Sequence, residues 1–267
     1  MTGLIILWTA TLGACVGSFT NVVVWRLPRR ESVVHPGSHC PRCGHAIRWH
    51  DNIPVVGWLL LGGRCRDCQS TISWRYPAVE ALTSLLWCSA LLVGPNGGGN
   101  LPSEWLPWAG FPLIGLLLPL TLIDLDHLWL PEPLCRWGLV TGLLISSAGG
   151  ITLLSHHLIA AIAGLLALEG ISALGEQALG QPALGLGDAK LAALGGAWLG
   201  GAGLTMALGL AVLSGALVGS IGRLSGRLGP RQPFAFGPFI ALGIWLVWLQ
   251  GPVWWWQRWM DLTGSLI

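Results

Sequence analysis

Charge is what this sequence has least of. Asp, Glu, Lys and Arg make up 10% of the 267 residues, while hydrophobic residues reach 53%. A typical soluble domain carries about 25% charged residues, so the shortage excludes an ordinary water-soluble fold. The first 25 residues lack the basic start and small-residue cleavage site of a secretory signal, and they are expected to persist as a helix of the mature protein. No internal repeat is visible, which counts against a transporter built from inverted halves. What the chain has in quantity is uninterrupted apolar length, together with seventeen tryptophans. Its net charge of +2 says little, because in a bilayer the placement of charge outweighs its sum.

A spanning helix needs about 20 mostly apolar residues. Stretches free of acidic and basic residues run over 1–25, 81–103, 105–123, 137–168, 191–222 and 232–257. The fourth and fifth are too long for one span, and breaks at "SSAGG…SHH" and "GGAG" divide each into two. The spacing therefore predicts an all-α integral membrane protein with about eight transmembrane helices, near 2–24, 78–94, 109–126, 134–151, 157–176, 188–202, 204–222 and 236–256.

Arginine sets the orientation. If the first helix ends in the cytoplasm, Arg26, Arg29, Arg30, Arg42, Arg48, Arg64, Arg66 and Arg75 are cytoplasmic, and alternation puts Arg136, Lys190, Arg223, Arg227 and Arg231 there too. Thirteen of the fourteen basic residues then obey the positive-inside rule, with Arg258 outside and both termini facing away from the cytoplasm. Trp105, Trp108, Trp254, Trp255, Trp256 and Trp259 read as an interfacial belt on the non-cytoplasmic side.

The longest polar segment holds "CPRCGHAIRWHDNIPVVGWLLLGGRCRDCQS" at 40–70. Cys40, Cys43, Cys65 and Cys68 form two C-x2-C pairs with a 21-residue spacer, the pattern of a tetrahedral zinc site that folds a loop too small for its own core. A redox pair, which needs one C-x2-C, and four unligated thiols are the alternatives. Reducing cytoplasm disfavours disulfides. The segment is thus expected to be a small zinc-bound cytoplasmic loop domain after the first helix. Cys15, Cys88 and Cys135 read as small apolar residues.

Carboxylates at membrane depth are costly and mark function. Asp124 ends one helix in "LTLIDLDHLWLPE" and Asp188 opens another in "LGLGDAKLAALGG", both on the expected cytoplasmic side. Two carboxylates at one depth can share a proton, one acting as base on a water and the other as acid, which is aspartyl-protease chemistry. Taken singly, Asp188 is also well placed as a helix cap, and Asp124 with Asp126 as polar groups at a helix end. Glu169 inside the fifth helix reads as a polar contact between helices. Gly196 and Gly200 make a GxxxG packing stripe. His156 and His157 fall in a short turn and carry little metal signal.

These segments resemble the bacterial type IV prepilin peptidases, GxGD-type membrane aspartyl proteases. "GSFTNVVVWRLP" at 17–28 is similar to the family's opening motif, and the paired cysteine loop with "ISWRYPAVEALT" at 72–83 to its cytoplasmic domain. "IDLDHLWLPE" and "GLGDAKLAALGGAWLG" resemble its two catalytic segments, and "FGPFIALG" at 236–243 its C-terminal motif. The resemblance implies catalytic Asp124 and Asp188, removal of a short basic leader from prepilins or pseudopilins at the cytoplasmic face of the inner membrane, and N-methylation of the new terminus with S-adenosylmethionine. It implies zinc in the loop, lipid bilayer as surroundings and no nucleic acid partner. The expected division is 1–24 as first helix, 25–77 as zinc domain and 78–267 as the peptidase core.

Two positions depart from the family pattern. Glu132 stands where Asp is frequent after Leu130-Pro131, and Gly63-Arg64 where Gly-Lys is frequent, near which a methyl-donor site is expected. Arginine is a planar, wider donor than lysine. A zinc-bearing assembly scaffold and an ion-coupled transporter are the rival classes.

Overall fold

The computed structural model describes residues 2–94, 97–98, 101, 106–180, 184–229, 232 and 234–264. Among them there are nine α-helices and no β-strand, beyond isolated bridges at His39 with Ala46 and Arg64 with Thr71. The helices are α1 (Thr2–Arg26), α2 (Val56–Leu60), α3 (Arg75–Ala90), α4 (Leu106–His127), α5 (Glu132–Ser147), α6 (Ile151–Leu179), α7 (Leu186–Leu224), α8 (Gly237–Gln250) and α9 (Pro252–Gly264).

Four stretches are long and apolar enough to cross a membrane, Gly3–Arg29, Trp108–His127, Ile151–Ala178 and Leu186–Leu224. A fifth span results if Gly237–Gln250 and Pro252–Asp261, bent by 95°, count as one. The eight expected spans thus stand at four to five on length and apolarity. α3 and α5 have 16 residues each, about 24 Å of helix. The expected pair 188–202 and 204–222 forms the single element α7, broken within by Gly200 at φ 68°, ψ −176°.

The chain divides into two compact units, Met1–Leu91 and Leu92–Ile267. In the first, α3 packs along α1. Gly17 is what lets them meet, since a Cβ there would come within 2.7 Å of the Glu80 Cα. Large apolar side chains such as Leu4, Leu7 and Trp8 stay exposed on α1, as suits a lipid-facing helix. Residues 27–74 make the cysteine module.

In the second unit α7 is central, packed by α5, α6 and α8, while α4 packs on α8. Gly196 serves close packing as expected, with the Ala160 carbonyl 2.6 Å from where its Cβ would be. Gly200 does not. Its conformation is open essentially to glycine alone, and it faces His157, whose ring nitrogen lies 2.9 Å from the Ala197 carbonyl oxygen. His156 and His157 belong to α6 rather than to a turn, because the helix begins at Ile151. Glu169 is half-buried on α6. Of the tryptophan belt, Trp108, Trp256 and Trp259 are exposed. Trp105 lies outside the described residues, as does Arg231.

Candidate active site

α4 ends just past Asp124, where the Leu128 N–H closes back on the Asp124 carbonyl at 2.9 Å. The Asp124 side chain is buried, 5% exposed. Its Oδ2 accepts the backbone N–H of Gly237 at 3.0 Å. Gly237 is the first residue of α8, with Pro238 behind it as a natural helix opener. A helix N-terminus presents free N–H groups and partial positive charge, a fitting partner for a carboxylate.

Asp188 lies in the first turn of α7, three residues after the cap position at Gly185. Its Oδ2 accepts the Gly185 N–H at 3.2 Å, and it is 8% exposed. The capping role weighed from sequence is therefore filled from inside the helix, and it occupies one oxygen of two. Leu130 packs between the backbones that carry both partners: a Cβ at Gly187 would lie 2.9 Å from Leu130, and one at Gly237 3.4 Å. Asp124 lies near enough for its charge to act on Asp188 in this corner. Asp126, two residues on, is exposed.

An ion-pair bracket crosses the same corner. Lys190 donates to Glu132 Oε2 at 3.2 Å, and Arg136 donates to Oε1 at 2.8 Å. Lys190 and Arg136 together hold the Glu132 carboxyl below the usual range. The bracket ties the start of α5 to the start of α7. The sequence marks Glu132 as a departure but not its partners, and signals Gly237 only through the Gly-Pro opening of "FGPF".

In the first unit the four cysteine sulfurs lie within 4.8 Å of one another. Cys40 and Cys68 Sγ are 3.8 Å apart and Cys43 and Cys65 Sγ 4.0 Å. A tetrahedron with metal–sulfur bonds of about 2.3 Å has edges of about 3.8 Å, so the cluster could hold one zinc ion. The two pairs fold alike. Cys40 N–H donates to His45 O and Gly44 N–H to Cys40 O, both at 2.9 Å; Cys65 N–H donates to Ser70 O at 2.9 Å and Gln69 N–H to Cys65 O at 3.0 Å. Backbone N–H groups of Cys43 and Arg42 lower the Cys40 thiol to about 6. Cys43 moves the other way, to about 12, as burial and the three neighbouring thiols outweigh the lowering by the His45 N–H.

Contacts around the sulfur cluster brace the module. Arg66 makes a two-pronged bond to Asp51, with Nε to Oδ2 at 2.7 Å, and holds its carboxyl low. Gly63 lies against the Trp58 ring and accepts the Ile72 N–H at 2.7 Å. Arg64 bridges to Thr71.

Residues 11–93 match the profile of the Bacterial Peptidase A24 N-terminal domain, and residues 111–220 that of the Type IV leader peptidase family. The Prepilin leader peptidase/N-methyltransferase of Myxococcus xanthus (strain DK1622) is 40% identical over 221 residues, 82% of this chain and 64% of that protein. That of Aeromonas salmonicida (strain A449) is 37% identical over 261 residues, 88% of this chain and 87% of its own. The Pseudomonas aeruginosa protein of the same name is 37% identical over 269 residues, 92% and 90% of the two chains. No solved structure matches the chain.

Proposed function

The chain belongs to the type IV leader peptidase family, and on that premise we propose that it removes the leader of prepilins or pseudopilins and then methylates the new N-terminus. What supports the first half is the burial of Asp124 and of Asp188, each with one oxygen held by a backbone N–H. The second oxygen of each is left for substrate and water. Two carboxylates in contact hold one proton between them. The ionised member takes a proton from water as its oxygen bonds to the scissile carbonyl carbon. The protonated member gives its proton to the departing amine as the C–N bond breaks. The pair titrates as a unit, so neither role belongs to one residue at rest.

Cys40, Cys43, Cys65 and Cys68 would hold a zinc ion in a closed four-sulfur site, which shapes the module and leaves no open position for substrate. S-adenosylmethionine supplies the methyl group when bound. The arginine distribution supports a cytoplasmic site at the inner membrane, where a leader ahead of its apolar segment would lie.

The test is incubation of detergent-solubilised protein with a prepilin and labelled S-adenosylmethionine, comparing parent and Asp188→Ala by intact mass. Leader loss and one added methyl in the parent alone are expected. Cleavage without methyl restricts the protein to peptidase activity, and cleavage by Asp188→Ala refutes the pair.

A further inference from the structure

Within the first unit, a cavity of about 430 Å³ opens between the end of α1, the start of α3 and the cysteine module. That is within the range of about 300–1,000 Å³ for small-molecule sites. Two charged side chains on its wall are buried, Glu80 at 8% exposure and Arg26 at 7%. Among the described residues, the Glu80 carboxylate meets neutral donors alone, the Val55 N–H at 2.6 Å and the Ser18 hydroxyl. The Arg26 guanidinium donates to the carbonyls of Ser32 at 2.9 Å and Gly37 at 3.3 Å, again neutral groups. Buried charges are normally matched by opposite ones, because an unmatched charge loses its hydration without return. Here a carboxylate and a guanidinium line one cavity without any ion pair between them, which is the complement of a zwitterion. Trp58 and Tyr76 add aromatic wall.

Glu80 also holds strained backbone. Val55 sits at φ 61°, and the Val56 N–H closes a three-residue turn on Pro54 O at 2.6 Å. Positive φ at a β-branched residue is rare, and such strain gathers at ligand clamps.

We propose that this cavity binds S-adenosylmethionine, with Arg26 taking its carboxylate, Glu80 facing its positive charge and the aromatic wall taking the adenine. The inference rests on the methyl-transfer reading above. Binding of S-adenosylmethionine and of adenosine to the full detergent-solubilised chain by calorimetry tests it. Glu80→Gln keeps the size and the acceptor for Val55 while removing the charge, so S-adenosylmethionine should bind about tenfold more weakly and adenosine unchanged. Hydrogen exchange of the parent protein with and without S-adenosylmethionine should show protection over 18–26, 51–58 and 76–80, a readout that needs no variant. Equal affinity for S-adenosylmethionine in parent and folded Glu80→Gln, or protection confined to other segments, overturns the site while methyl transfer itself stands. A parent chain that cleaves but neither binds nor transfers overturns the methyl-transfer reading, and the site with it.

Discussion

Gly237 donates its backbone N–H to the Asp124 carboxylate from 113 positions away in sequence, at 3.0 Å. A Cβ at Gly237 would lie 2.7 Å from Asp124 Oδ2, so the contact exists because the residue has no side chain. Gly237→Ala should push the carboxylate aside. A displacement on the scale of 1 Å costs about 100-fold in rate, and initial rates of leader cleavage should fall by that order. An unaltered rate would detach Gly237 from the chemistry.

Asp124→Asn and Asp188→Asn each keep an oxygen for the backbone N–H and lose the carboxylate. Cleavage should drop by on the order of 10³-fold in each, with melting temperatures close to the parent. Survival of activity in either variant would remove that residue from the pair.

Elemental analysis should find one zinc per chain. Cys65→Ser should release it and strip amide protection across 38–72, since a loop of this size folds around its metal. Full protection in zinc-free protein would make the sulfur cluster incidental.

Glu132 gives a pH dependence of known sign. Its carboxyl is held below the ordinary value by Lys190 and Arg136. The resulting stability is present above the unfolded value of about 4.3 and disappears as pH falls through the folded one. Glu132 is exposed, so the contribution is small. Glu132→Gln should melt slightly below the parent at neutral pH, and the two should converge as pH falls through the lowered folded value. An offset that persists in acid would point to packing instead of charge.

Gly200→Ala must force a side chain into φ 68°, with His157 3.2 Å from the new Cβ. The expected loss is about 1–3 kcal/mol in unfolding free energy. Gly201→Ala, whose Cβ meets nothing within 4 Å, is the neutral comparison.

Local patterns in the sequence carried what local forces decide. The charge-free run at 1–25 is α1 almost to the residue, because apolar length alone makes that helix. The cysteine spacing foretold the cluster, since two knuckles at that separation can close on one ion. The glycines of "GGAG" mark the break in α7, and Gly200, expected to serve packing, is the residue that makes it. Contacts between distant segments left no such trace. Nothing near Asp124 announces Gly237, and nothing near Glu132 announces Lys190; both pairings depend on which helix ends meet in three dimensions. The bend after α8 was hidden by apolar continuity across "LQGPVWWW", where Gly251 and Pro252 were the punctuation.

That bend fixes a depth. α9 carries Trp256, Trp259 and Met260 exposed on one side, with Gln257, Arg258 and Asp261 on the other. A helix of this kind settles flat at headgroup level. α8, turned 95° from it, then stands nearly along the bilayer normal. Its 14 residues make a strut of about 21 Å, shorter than the apolar thickness of about 30 Å. Gly237 and the carboxylate it holds stand about 21 Å from the α9 end of that strut. On the proposed reading, the length of α8 would set how far from its tryptophan footing the Asp124 carboxylate meets the substrate.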